Sequence, residues 1–475
     1  MSVFGDGLMN NDLTRATASE LADLYRSGRA SPVEAVQAVL DRVAVLNPLL
    51  NALTRVDADE AISAAKLSES RWQANQPLSP IDGVPASIKE LIRVKGWPQT
   101  MASQLTDKAP ALEDAPAVAR LREAGVIIFA QSTSPEYGYK GVTDSPLNGV
   151  TRNPWNPDRT PGGSSGGAAA AVAAGLGPLA IGTDGGGSIR IPASFTGLVG
   201  LKATFGRVPA WPSSMHGDLA NTGPMTRTVL DNALMMNQIA RPDVRDPFSL
   251  PDDKVDYVSQ LTDTLRGKKI GLIMPFGDAY LDPEVADRVA LAARAFVELG
   301  ARVEEVRPPT DISVIGRVWS VHWLSALQRL LQVYPESRHQ EFDPNLLAQA
   351  RVGATFSLQD VVDAQVARRD ISTSWNLLFE RHDLIISPTL AVLPFGLNQN
   401  LPMGPDGNPN PNWACTVTYN LTRHPAVSVP CGLSRDGLPI GLQIAAGHYR
   451  DADVLAAAAA FERHSGWTLP ALPSS

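Results

Sequence analysis

Cysteine is nearly absent from this chain: Cys415 and Cys431 are the only two among 475 residues. Two cysteines give no disulfide framework, and neither stands in a metal-ligand spacing, so a reduced, cytoplasmic protein without a metal or other cofactor is expected. The opening segment, MSVFGDGLMNNDLTRAT, lacks the basic start and apolar run of a secretory signal. A bilayer-spanning run is missing as well. The longest apolar stretch, Ala168 to Thr183, is broken by Gly175, Gly177 and Pro178 and reads as a buried helix followed by a buried strand. Blocks of one charge are also missing. The formal net charge of −8 is spread over interspersed acids and bases, which argues against nucleic acid and against a membrane surface as partners.

What is present suffices for a large core. Hydrophobic residues make up 44% and charged residues 19% of the chain, a balance that excludes general disorder. Residues 1–80 read as a helical segment: Leu21, Leu24 and Tyr25 share a helical face, and Ser31-Pro32 opens a second helix with Val33, Val36, Val39, Leu40 and Val43 on its apolar side. From residue 81 short apolar runs alternate with small-residue helices. Val126 to Ala130 and Leu179 to Gly182 read as strands, the pattern resuming with strands at Ile270 to Ile273 and Arg302 to Val306 around a helix from Asp282 to Leu299. Residues 311–382 read as a helical insertion, followed by a strand at Asp383 to Ile386, strands at Ala426 to Val429 and Ile440 to Ala445, and a helix from Ala452 to His464. The expectation is an α/β fold: a single large mixed β-sheet flanked by helices, spanning 81–475, with the N-terminal segment packed on it.

Two glycine-rich elements carry the chemistry, Thr160-Pro-Gly-Gly-Ser-Ser-Gly-Gly167 and Gly182-Thr-Asp-Gly-Gly-Gly-Ser-Ile-Arg-Ile-Pro192. A flexible linker would not run straight into a buried helix and strand. A phosphate-binding loop would need Lys-Ser or Lys-Thr after its last glycine, where this chain has Ala168-Ala169. Gly162 to Gly166 formally satisfies the G-x-S-x-G elbow, but residues 151–161 make a poor strand to precede it. The second element points to acyl transfer. Gly185, Gly186 and Gly187 free the backbone to aim N–H groups at one point, and the Ser188 hydroxyl follows at once, so oxyanion donors and nucleophile share one short loop.

A serine hydroxyl needs a base, and no histidine occurs before His216. The nine lysines all lie before residue 270. Among them Lys89 sits in an apolar, strand-like run, Gly83-Val-Pro-Ala-Ser-Ile-Lys89. An ordinary lysine, with a pKa of roughly 10.4, would have to fall about three units to serve, at a desolvation cost on the order of 4 kcal/mol. Taken alone, Lys89 reads as a surface lysine rather than as a base.

Together the two glycine elements and the upstream Gly-x-Pro-x-x-x-Lys resemble the amidase signature family. Ser188 follows Ser164 by 24 residues and Lys89 precedes Ser164 by 75, spacings in keeping with that family. The resemblance implies a Ser-Ser-Lys hydrolase of carboxamides. Neutral Lys89 would accept a proton from Ser164, a serine that follows a cis peptide bond. Ser164 would deprotonate Ser188, and the Gly185–Ser188 amides would hold the oxyanion of an acyl-enzyme-forming attack. Asp184 and Arg190 would pair to hold the loop, Ser165 would bond near the relay, and Thr183 would brace the loop. Glu90 stands where an aspartate is frequent, and Ala130-Gln131-Ser132 replaces a common Gly-Lys-Thr; neither change touches a reacting group.

The segment after Arg207-Val-Pro lacks the Tyr-Gly and Ser-Leu-Asp features of the glutaminase subunit of tRNA-dependent amidotransferases. The resemblance therefore favours a freestanding amidase of aryl, alkyl or oligo-amide substrates, with a homodimer common among such proteins. The alternatives are a non-catalytic binding protein of the same fold and the glutaminase subunit. Tyr137 and Gly138 are expected on the acyl side, with Trp211, Met215, His216, Trp319 and Trp323 as an aromatic pocket wall, although each is equally suited to core packing. An apolar pocket would suit an uncharged amide better than glutamine.

Overall fold

The computed structural model describes residues 12–274 and 280–470. Its first helices start where side chains can take up free N–H groups. Thr17 caps Ala18–Arg26 and Ser31 caps Pro32–Leu50, each in a reciprocal box with the glutamate three residues on, Glu20 and Glu34. Asn51, left-handed at φ 48°, ends the second helix and turns the chain into β1 (Leu53–Val56). This short strand corrects the reading of residues 1–80 as helical throughout: it forms the outer edge of the main sheet, antiparallel to the strand at residues 127–132.

The other strands, in chain order, are β2 (Pro85–Lys89), β3 (Ile127–Ser132), a small ribbon of β4 (Asp144–Ser145) and β5 (Gly149–Val150), β6 (Leu179–Asp184), β7 (Val199–Lys202), β8 (Asn221–Thr226), β9 (Lys269–Leu272), β10 (Arg302–Glu305), β11 (Leu384–Pro388), β12 (Ala426–Leu433) and β13 (Pro439–Ala446). Eleven of them make one mixed sheet in the order β1-β3-β2-β6-β8-β7-β12-β13-β11-β9-β10. The β3-β2-β6 and β11-β9-β10 runs are parallel and the centre is antiparallel.

Alternation along the strands divides the core between the two faces. Leu179 and Ile181 of β6 pack with the helices Pro116–Glu123, Val229–Ile239, Pro283–Glu298 and Asp451–Ser465, while Ala180 between them joins the cluster around Gly166–Ala174. Every residue of Gly166–Ala174 is buried. Its glycine and alanine side chains let a helix lie inside the molecule with no polar face to solvate. The helices Ile312–Leu327, Pro344–Gly353 and Leu358–Phe379 enclose a separate core around Trp323 and Trp375. β2 and β6 are parallel neighbours that end together at Lys89 and Asp184. The carboxyl ends of adjacent parallel strands are where an α/β sheet places its chemistry.

Candidate active site

Lys89, the last residue of β2, has no solvent exposure. Its Nζ lies 2.6 Å from Ser164 Oγ, 2.9 Å from Ser165 Oγ and 2.8 Å from Thr183 Oγ1, and among the described residues no carboxylate pairs with it. Burial drives the ammonium down to about 7, against the opposing pull of the Asp184 and Glu90 charges. Near neutrality the amine is thus free to give up its proton. Neutral Nζ offers two N–H groups and one lone pair, so one of the three hydroxyls must donate to it. Ser165 gives its own hydrogen to Thr183 O at 3.1 Å, which leaves Ser164, at the shortest distance, and Thr183. Thr183 is therefore more than the loop brace expected of it, since it touches the lysine directly. The Gly163–Ser164 peptide is cis.

The second glycine element is shaped by a buried ion pair. Asp184 accepts Arg190 Nε and Nη2, each at 2.9 Å, and both side chains are fully buried. The other guanidinium hydrogens go to Thr416 O, Gln443 Oε1 and Asn420 Oδ1, so all five Arg190 donors are satisfied. Burial alone would raise the Asp184 carboxyl, but Arg190 and the hydrogen bond from Asn420 outweigh it and hold it down at about 2. Asp184 Oδ1 also accepts Gly187 N–H at 2.7 Å. This corrects the assignment of Gly187 as an oxyanion donor. Its amide holds the loop, and among the described residues only the amides of Gly185, Gly186 and Ser188 in this loop have no acceptor. Ser165 N donates to Ser188 O at 3.1 Å and so joins the two glycine elements directly.

Two of the glycines are required by their neighbours. A Cβ on Gly185 would lie 2.9 Å from the Trp323 ring, and one on Gly186 would lie 2.8 Å from the Trp319 ring. The two indoles stack at 4.9 Å, and Trp319 Nε1 donates to Gly185 O at 3.3 Å. His216 also stacks on Trp323, at 3.6 Å. Burial lowers its imidazole to about 3, so it is neutral and no cationic partner of the loop.

Two cavities meet at Ser188. The smaller, about 160 Å³, is lined by Ser164, Thr183, Gly185, Tyr137, Trp211, Met215 and His216. The larger, about 910 Å³, is lined by Gly186, Trp319 and residues of the helical insertion and of the loop 400–414. Gly138, Trp323 and Ser188 belong to both. The five residues expected at the pocket wall and the two expected on the acyl side, Tyr137 and Gly138, therefore border one cavity or the other. The guanidinium groups of Arg93 and Arg245 lie 5.2 and 4.8 Å from the centre of the Trp211 ring. Glu90 is buried and accepts Thr100, Ser134 and Asn148, a packing role at the departure noted in the sequence. Asn420, Gln443 and Thr416 were not singled out in the sequence, because their functions exist only through Arg190 and the loop, more than 200 residues away. Among the described residues no group of three His, Cys, Asp or Glu side chains is placed to hold a metal ion, and no helix is long and apolar enough to cross a membrane.

The sequence profile of the amidase family matches residues 34–455. An acylamidase of Rhodococcus erythropolis is 38% identical over 460 residues, covering 95% of this chain and 96% of that protein. One component of the glutamyl-tRNA(Gln) amidotransferase of Myxococcus xanthus is 34% identical, covering 95% and 97%. The crystal structure of a bacterial aryl acylamidase belonging to the amidase signature enzymes superposes with a TM-score of 0.88 at 36% identity, covering 95% of this chain and 97% of that one.

Proposed function

The chain belongs to the amidase family and hydrolyses amide C–N bonds, and from that premise we propose that it is a freestanding amidase working through a Ser188 acyl-enzyme. The observation that carries this reading is the buried Lys89 amine in contact with Ser164. In the proposed cycle, Lys89 takes the Ser164 proton and Ser164 takes that of Ser188, which lines the same cavity. The Ser188 oxygen attacks the carbonyl carbon, and the oxyanion meets the amides of Gly185, Gly186 and Ser188. Preorganised donors of this kind contribute about 10²–10³-fold each. Ser164 then protonates the departing nitrogen, the C–N bond breaks, and water cleaves the ester by the reverse relay.

Among the described residues no carboxylate lines either cavity to receive the α-ammonium group that glutamine carries on its acyl part, which supports an uncharged substrate over glutamine. Cys415 and Cys431, both unpaired, suit a cytoplasmic setting.

A fluorophosphonate should add once to the protein and appear by mass spectrometry on the peptide containing Ser188; an adduct elsewhere, or none with the protein folded, would sink the acyl-enzyme reading. The pH dependence is a second check. Protonated Lys89 has no lone pair to offer, so kcat/KM for an uncharged anilide should rise with pH through about 7 and fall tenfold per unit on the acid side. A profile flat from about pH 5 to 9 would exclude a lysine base.

A further inference from the structure

A third cavity, of about 710 Å³, lies apart from the reacting groups, and none of its lining residues belongs to either cavity at Ser188. Its walls come from the helices Ile312–Leu327 and Leu358–Phe379, from residues 421–423 before β12, and from His448 and Tyr449 just after β13. Three arginines line it, Arg368, Arg369 and Arg423, against one acid, Asp218. Asp218 accepts Nη1 of Arg368 at 2.7 Å and Nη2 of Arg423. Burial would raise its carboxyl, but the two arginines outweigh that and keep it charged. Three cations against one anion leave an excess of two positive charges. Among the described residues Arg369 has no hydrogen-bond or ion-pair partner, and Arg423 spends a single donor on Asp218.

The excess is felt by the neighbouring imidazoles. Burial lowers His322 and His448, and the adjacent cations lower them further, Arg368 acting on the first and Lys202 and Arg423 on the second. Both are neutral near pH 7 and add no charge of their own. Two residues of the wall have left-handed backbone, Arg423 at φ 63° and Tyr449 at φ 66°. A residue with a Cβ takes that conformation at a cost, and such positions gather where ligands are clamped. The Arg423 guanidinium lies 5.3 Å from the centre of the Phe205 ring, and the lining rings of Tyr449 and Phe248 stay 64% and 52% exposed. Open rings beside unspent guanidinium groups make a surface for a planar anion.

A phosphate monoester carries a charge of about −1.5 to −2 at pH 7 and three acceptor oxygens, which match both the excess and the forked donors of two arginines. A single carboxylate would leave half of the excess uncompensated. We infer that this cavity is a second ligand site, separate from the hydrolytic centre, for a small phosphate monoester bearing a planar ring, with the phosphate on Arg369 and Arg423 and the ring against Tyr449 and Phe248. The inference goes beyond the amidase reading and does not depend on it.

The test titrates the full chain by isothermal calorimetry at low salt with AMP, phenyl phosphate, inorganic phosphate and adenosine. AMP and phenyl phosphate should each bind once per chain, and inorganic phosphate and adenosine about tenfold more weakly or worse. Arg369→Gln and Arg423→Gln, both at exposed positions, should each weaken AMP by about tenfold or more, with circular dichroism confirming the fold. AMP should not compete with an aryl anilide. Failure of both AMP and phenyl phosphate to bind would overturn the site. Binding undiminished in both variants, or competition with the anilide, would put the anion elsewhere and overturn it equally. Inorganic phosphate binding as tightly as AMP would overturn the part assigned to the ring.

Discussion

Ser188→Ala is expected to lower kcat/KM on an aryl anilide by about 10⁴-fold or more, Lys89→Met by a similar factor, and the double variant by little beyond either. The reason lies in the wiring. Lys89 lines neither cavity at Ser188, and in the proposed relay it acts only through the hydroxyls of Ser164, Ser165 and Thr183. Without its lone pair Ser164 has nowhere to pass a proton, and Ser188 is left an ordinary alcohol. The residual rate would come from the oxyanion donors and from substrate positioning, neither of which involves the lysine. Steady-state kinetics, with circular dichroism to confirm folding, would decide it. Independent, multiplying losses would mean that lysine and serine do not act as one unit. Methionine suits the purpose because it keeps most of the lysine volume in a site with no exposure.

Arg190→Met should cost about 3–5 kcal/mol of stability, read as a lowered midpoint in urea with a similar slope. The side chain is completely buried and satisfies its five donors on Asp184, Asn420, Gln443 and Thr416. Removing it strands the Asp184 carboxylate, whose position near 2 depends on that charge. The double variant Arg190→Met with Asp184→Leu should recover part of the loss, because no bare charge stays behind. Activity would not recover with it, since Gly187 N–H loses the carboxylate that fixes the loop. A destabilisation under about 1 kcal/mol would show that water reaches the pair.

Much of this was legible in the sequence, and for identifiable reasons. The parallel strands β2 and β6 are runs of buried apolar residues bounded by glycine and proline, so they stand out, as does the alanine-rich buried helix between them. The glycine clusters were legible because they are rare on purely structural grounds, whereas Lys89 stood out only through the resemblance to the amidase signature family. β8 escaped notice: Asn-Thr-Gly-Pro-Met-Thr has a glycine and a proline where a central strand should have neither. The structure gives the reason for Gly223, whose Cβ would fall 2.3 Å from Leu201 O on the neighbouring strand. β1 was hidden by its brevity. The capture of Gly187 N–H by Asp184 was illegible in principle, since three consecutive glycines look alike until a carboxylate chooses among them. The large cavity was equally out of reach, because its walls come from the insertion and from a loop tens of residues further on, with no shared pattern.

The stacking of Trp319 and Trp323 on Gly185 and Gly186 has a consequence for how such an enzyme diversifies. The helix Ile312–Leu327 lines the larger cavity and also roofs the glycine loop, so on the proposed mechanism one helix would shape both substrate selection and the oxyanion donors. Selectivity and rate therefore share a joint. Changes at Ile312 or Gly316, away from the indoles, can retune recognition at little expense to turnover. A change at either tryptophan alters both at once. Drift in substrate range should accordingly follow the periphery of this helix, with the two indoles as its fixed hinge-pin.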